Sequence, residues 1–232
     1  MNQIQQLNAT VSKVRDLSPT AREYTFLPEH PLPFIAGAFV NVFVDHDGKT
    51  IRRAFSISSS DKESEKLTVS IRLSPDGELT PLLWDEDFTG QTVRLMGPLG
   101  LNTAEKMKAK RIFLFGFGVG AGVVKSLTEH MLHKPDLESL TVVTGNRSTN
   151  EILHKEYFDE IAKNPKTSVQ YVVSDQNQSE YPKGYIQEHI AKYDFSNADV
   201  YICGQKVACD ALESSIKSVK PQDCRFFVED FH

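Results

Sequence analysis

Several short stretches of this 232-residue chain set residues at spacings that suit chemistry. In I-R-R-A-F-S-I-S, residues 51–58, a guanidinium, a flat ring and a small hydroxyl stand within four positions at Arg53, Phe55 and Ser56. The surrounding run alternates like a strand, and a strand built only for packing would not choose two adjacent arginines there. A second stretch, G-F-G-V-G-A-G (116–122), follows the apolar run R-I-F-L-F and leads into V-V-K-S-L-T-E-H-M-L. Glycines there let backbone approach a pyrophosphate, and a helix start supplies amide donors and partial positive charge.

The next apolar run, T-V-V-T, ends in G-N-R-S without the acidic residue that an NAD-type Rossmann fingerprint asks for. Arg147 and Ser148 suit the 2'-phosphate of NADP, because a guanidinium matches a phosphate bidentately. Ser148-Thr149-Asn150-Glu151 also fits a capping box opening a helix over E-I-L-H-K-E-Y-F-D-E-I. The two readings stand side by side, and both can hold together. Near the C-terminus, Y-I-C-G carries Cys203 and Gly204, and R-F-F-V-E-D-F carries Glu229 and Phe231. Taken alone, a strand cysteine is a packing residue and a terminal E-D-F-H a frayed tail, although R-F-F-V-E-D-F reads as a strand.

The elements that must position these residues divide in two. Up to about residue 100 the chain shows six short alternating runs bounded by Gly, Pro and Asp: A-T-V-S-K-V-R, R-E-Y-T-F-L, A-F-V-N-V-F-V-D, R-A-F-S-I-S, K-L-T-V-S-I-R-L and Q-T-V-R-L-M. They predict a small antiparallel barrel or sandwich. One helix is expected after P-D-G-E-L, with Thr80 as N-cap and Pro81 in its first position. L-N-T-A-E-K-M-K-A-K reads as a polar connector. Beyond Arg111, apolar strands alternate with helical stretches, the pattern of a parallel sheet with helices on its faces. The expectation is therefore two domains, an antiparallel β-barrel over residues 1–105 and an α/β parallel-sheet domain over 106–232.

R-A-F-S, G-E-L-T, G-P-L-G, the glycine loop, G-N-R-S, Y-I-C-G and the terminal E-D-F occur in this order. Together they resemble the ferredoxin-NADP(+) reductase superfamily over nearly the whole chain, and P-D-G-E-L-T-P-L-L is similar to its compact bacterial ferredoxin/flavodoxin reductases. The resemblance implies that the barrel binds flavin, FAD rather than FMN, and that the α/β domain binds NADPH or NADH. Arg53 would pair with the flavin pyrophosphate, Phe55 would pack on the isoalloxazine, Ser56 would sit near flavin N5, and Ala54 would be among the cofactor-binding residues. Ile71 and Arg72 would belong to the same cofactor surface, and Gly77, Glu78, Leu79 and Thr80 would hold the pyrophosphate at a helix start. Gly118, Val119 and Gly120, with Asn146, Arg147 and Ser148, would take the nicotinamide nucleotide, and Cys203, Gly204 and Gln205 would flank its nicotinamide. Ser56, Cys203, Glu229 and Phe231 would form the hydride-transfer site. The chain departs from the family pattern at Val119, where Thr is common, at Val123 and Gln205, where Pro is common, and at Phe231, which replaces Tyr and precedes His232.

If Arg53, Phe55 and Ser56 all touch one flavin, their strand has to bend or end near Phe55, because alternation turns Ser56 to the opposite face. Arg52 reads as surface or as a partner contact. The implied function is transfer of hydride from NAD(P)H to FAD, with single electrons leaving to ferredoxin, flavodoxin or a similar carrier, or the reverse. The alternatives are a free-flavin reductase, an electron-transfer subunit of a larger redox complex, and a sensor on the same scaffold. Composition narrows the classes: 26 basic against 31 acidic residues give a net charge of -5, which argues against nucleic acid and membrane surfaces. No apolar run approaches about 18 residues, no leader is recognised, and a cytoplasmic protein is expected. Three cysteines without a C-x2-C pair and seven histidines without ligand spacing predict no metal site, so any metal centre would belong to a partner.

Overall fold

The computed structural model describes residues 3–175 and 180–231. Its N-terminal half is an antiparallel sheet of six strands, β1 (Gln5–Ser18), β2 (Ala21–Pro28), β3 (Phe39–His46), β4 (Lys49–Ser56), β5 (Leu67–Arg72) and β6 (Thr92–Leu99). They lie in the order β4-β3-β6-β1-β2-β5, and a bridge between Ile57 and Val69 brings the two edges together as a barrel. Strand alternation explains the interior: Val40, Val42 and Val44 of β3, Leu67, Val69 and Ile71 of β5, and Val93 and Leu95 of β6 are buried in one cluster. Helix α1 (Leu79–Asp85) is anchored in that cluster by Leu79 and Leu83.

That helix begins two residues earlier than expected, with Glu78 rather than Thr80 as its N-cap. Thr80 is unavailable for capping because its hydroxyl accepts from the Ser74 amide at 2.9 Å and donates to the Ser74 carbonyl at 3.0 Å. Burial of Leu79 fixes where the helix starts, and the local cap signal yields to it.

The C-terminal half comprises β7 (Arg111–Phe117), α2 (Gly120–Met131), β8 (Ser139–Asn146), α3 (Lys155–Ile161), β9 (Thr167–Val173), β10 (Ala198–Gln205), α4 (Lys206–Ser218) and β11 (Arg225–Phe231). The strands are all parallel in the order β11-β10-β7-β8-β9. Both faces of the sheet are covered, which is why β10 is buried at every residue except Gln205. Tyr201 and Cys203 face the cluster under α2, and Val200 and Ile202 face the cluster under α4. No described helix is long and apolar enough to cross a membrane.

The apolar cluster under α2 does not stop at the α/β half. Ala21 and Ala36 of the barrel half and Ala104 and Met107 of the connector belong to it. The connector is pinned further by the buried Asp199, which accepts from the Ala109 amide at 2.8 Å and from Arg225 at 2.7 and 2.6 Å.

Polar ties line the same seam, and one of them corrects the expected capping box. Glu151 does not fold back on Ser148; its carboxylate accepts from Ser18 at 2.8 Å and Thr20 at 2.9 Å across the junction. The expected long helix is accordingly split into a 3₁₀ turn (Thr149–Glu151) and α3, separated by the buried Ile152 and Leu153 and by His154 in a left-handed conformation, φ 55°. The His154 ring is buried between the halves with Nε2 3.0 Å from Ser70 Oγ. Burial, with the charges of Lys125 and Arg15, pushes its pKa down to about 3; Glu23, 4.0 Å away, is too distant to offset that.

Candidate functional site

β4 ends at Ser56, one residue past Phe55, near which a strand carrying Arg53, Phe55 and Ser56 to one flavin would have to bend or end. Its outer positions are open: Arg52, Arg53 and Ala54 are exposed, while Phe55 is half-buried against the barrel core. The Arg53 guanidinium lies 3.4 Å from the Glu78 carboxylate at the start of α1. Both side chains are solvent-accessible, at 47% and 69%, so the pair is worth about 0–1 kcal/mol. The carboxylate stands where an anion suits the guanidinium, which fits the expected pyrophosphate, and it yields readily to a more highly charged group. Ile71 and Leu79 are buried in the barrel core, so their side chains belong to packing.

At the junction of the halves four expected residues come together with one that was not expected. Ser56 Oγ donates to Glu229 Oε1 at 2.8 Å although the two are separated by 173 positions. Tyr201 donates to the other oxygen, Oε2, at 2.7 Å. Cys203 lies beside Glu229 in the β10–β11 ladder, and Phe231 lies two residues beyond on the same face, half-buried. Burial raises the Glu229 carboxyl above its usual range, against the pull of the Tyr201 and Ser56 hydrogen bonds. Burial also pushes the Cys203 thiol well above its ordinary value, so it remains a neutral thiol at physiological pH.

A cavity of about 520 Å³ opens at the carboxyl ends of β7 and β8 and at the start of α4. Gly118, Val119, Asn146, Arg147, Gln205 and the barrel's Arg72 line it. Ser148 is not part of its wall and bonds Asn150 instead. Asn146 is buried, with its amide donating to Thr144 and its Oδ1 without a partner among the described residues. An orphaned acceptor in a deep wall, a helix start and a glycine loop fit a nucleotide. Arg147, expected as a 2'-phosphate ligand, pairs with Asp175 at 3.5 Å at the cavity wall.

The glycines act through close approach. A Cβ on Gly120 would stand 2.3 Å from the Cys203 carbonyl oxygen, and one on Gly204, at φ 155°, would stand 2.5 Å from Phe117 Cβ. A side chain at Gly120 would force α2 away from β10, and one at Gly204 would push the end of β10 from Phe117 at the end of β7. The sequence reading missed Tyr201, Asp175 and the Glu151–Thr20 tie. Tyr201 left one weak signal, a phenol two residues before Cys203 and so on its face of the strand.

The family model of the oxidoreductase FAD-binding domain matches residues 8–103, and that of the oxidoreductase NAD-binding domain matches residues 114–213. The chain belongs to the oxidoreductases that join an FAD-binding domain to an NAD-binding domain, and its fold is that of the ferredoxin-NADP(+) reductases. The reductase component of phenol 2-monooxygenase from Pseudomonas sp. (strain CF600) is 26% identical over 99% of this chain, and the toluate 1,2-dioxygenase electron transfer component of Pseudomonas putida is 26% identical over 96%. The chain spans 66% and 67% of the lengths of those two relatives. Among solved structures, a cytochrome P-450 reductase of Amycolatopsis superposes with a TM-score of 0.92 at 24% identity, covering 100% of this chain and 71% of that one. A ferredoxin NADP+ reductase from Neisseria gonorrhoeae with bound FAD and NADP gives 0.84 at 14% identity, covering 99% of both chains.

Proposed function

We propose that this chain is an NAD(P)H-dependent FAD reductase that hands single electrons to a separate redox protein, with residues 1–105 holding the flavin and 106–232 the nicotinamide nucleotide. The observation that carries this reading is the Ser56–Glu229–Tyr201 cluster, assembled from both halves, with the cavity opening at Gln205, two residues past Cys203 on β10. FAD, when bound, supplies the redox chemistry, taking hydride from NAD(P)H and releasing electrons singly. Arg53 binds its pyrophosphate and Phe55 packs on its ring, while Ser56 presents its hydroxyl at the hydride-transfer site. Arg72, Asn146 and Arg147, which line the cavity, would hold the nicotinamide nucleotide. The packed seam and Phe231 exclude water, Glu229 fixes negative charge beside the transfer site, and the neutral Cys203 thiol gives the nicotinamide an uncharged surface.

The names of the relatives favour an oxygenase or its electron carrier as the acceptor, and ferredoxin or flavodoxin remain the small carriers of matching chemistry. Three free cysteines suit a reducing compartment such as the cytoplasm. Anaerobic stopped-flow mixing of the flavin-loaded protein with NADH and with NADPH tests the reading. Rapid loss of the flavin's visible absorbance with at least one nucleotide is expected, and failure of both to bleach it overturns the proposal.

A further inference from the structure

We infer that Tyr201 is a positioning residue for Glu229: its buried hydroxyl fixes the carboxylate toward Ser56 across the domain junction and preserves its negative charge. Three observations carry this. Tyr201 has 0% exposure in the middle of β10, which lies between β7 and β11, on the face that α2 and the barrel cover. Its hydroxyl lies 2.7 Å from Glu229 Oε2, while Ser56 takes Oε1 at 2.8 Å, so the two donors grip opposite oxygens and hold the carboxylate plane. Among the described residues that hydroxyl bonds Glu229 alone, and burial drives its own titration far upward. With no second hydrogen-bond partner among the described residues, the buried hydroxyl closes the chain Ser56–Glu229–Tyr201. Its part is orientation and charge.

The titratable groups beside Glu229 are Tyr201 and Cys203 on β10; Cys209 on α4 and Asp230, the next residue of β11, act on Cys203, and Asp230 turns to Lys206 of α4. Cys203 and Cys209 are both pushed up by burial and stay neutral across the accessible pH range. Asp230 is unchanged by the substitution proposed below, which leaves the tyrosine hydroxyl as the variable. The consequence for hydride transfer rests on the proposed function; the effect on the carboxylate does not.

The test follows the Glu229 carboxyl by 13C NMR in protein labelled at glutamate Cδ, the resonance being identified by its loss in Glu229→Gln. Removing a hydrogen bond to the charged form raises a carboxyl's titration midpoint, and a bond of this kind corresponds to about one pH unit or more. Tyr201→Phe, which keeps the ring's packing, is expected to move the midpoint upward by that amount, and Tyr201→Leu must move it the same way if the Phe variant is poorly folded. An unmoved midpoint in the folded variants overturns the inference. In flavin-loaded protein the acid limb of the reduction rate should move upward in step. If wild type reduces no flavin with either nucleotide yet the NMR midpoint shifts, the proposed function fails and the role of Tyr201 stands; reduction by wild type with an unmoved midpoint sinks the role of Tyr201 alone.

Discussion

Replacing Gly120 by alanine puts one methyl group against a wall that has nowhere to go. The new Cβ would meet the Cys203 carbonyl oxygen at 2.3 Å and its carbon at 2.8 Å. Both atoms belong to the backbone of β10, which is locked by ladders to β7 on one side and β11 on the other. No rotamer change relieves the clash, so α2 must retreat by roughly 0.7 Å merely to reach the tight limit of 3.0 Å for such a contact. The retreat carries the loop Gly118–Val119 with it and presses α2 toward the barrel, where Gly122 already stands against Ser58 and Ser70. Overpacking of this kind costs about 1–3 kcal/mol, which for a chain of this size lowers Tm by about 2–4 °C per kcal/mol. A displacement approaching 1 Å between reacting partners costs up to about a hundredfold in rate, so the stopped-flow reduction rate should fall by about ten- to a hundredfold. Gly118→Ala is the contrast: its Cβ meets only the side-chain Nη1 of Arg72 at 3.4 Å, and its left-handed φ of 53° costs about 1–2 kcal/mol in stability. Wild-type reduction kinetics in Gly120→Ala would refute the idea that close approach of α2 to β10 sets the transfer geometry.

His154 gives a pH signature of stability. Its folded pKa of about 3 lies below the unfolded value of 6.5, so the unfolded chain binds the proton first and stability falls as pH drops from 6.5 toward 3, by about 1.4 kcal/mol per pH unit. Urea unfolding at several pH values should show this component in wild type and its loss in His154→Asn, and identical slopes would contradict the buried neutral ring. Arg53→Glu is expected to weaken FAD binding by about ten- to a hundredfold in fluorescence titrations of apoprotein; unchanged affinity would remove Arg53 from the pyrophosphate site. Asp175→Asn frees Arg147 from an exposed pair and should raise the NADPH-to-NADH ratio of kcat/KM by about two- to fivefold. A constant ratio would show that neither side chain meets the adenosine ribose.

The barrel and the parallel sheet were legible because burial on one face or on two leaves period-2 or continuous apolar runs, and R-I-F-L-F-G-F and R-F-F-V-E-D-F are observed as strands over the same residues. The meeting of Ser56 with Glu229 was legible only through the ordered motifs, since nothing local links positions 173 apart. Where the local signal competed with a distant partner, the partner prevailed. Ser148 and Glu151 have the spacing of a capping box, but Glu151 finds two hydroxyls 131 and 133 positions away. Thr80 has the chemistry of an N-cap, but the Ser74 backbone holds its hydroxyl. Tyr201 was passed over for a related reason: within D-V-Y-I-C-G a tyrosine looks like core, and its hydrogen bond depends on which strand pairs beside it.

The seam has a consequence for how such a protein changes over generations. Its two halves are joined by a continuous apolar cluster and by the Glu151 and His154 ties, rather than by a bare linker. A nicotinamide domain transplanted onto a foreign barrel would arrive with a buried imidazole and a carboxylate lacking hosts, each a cost of about 1–3 kcal/mol. Substitutions at Ser18, Thr20 and Ser70 on one side and at Glu151 and His154 on the other should therefore track one another through a lineage, as compensating pairs. Inheritance then treats the two halves as a single unit even though each has a sheet of its own.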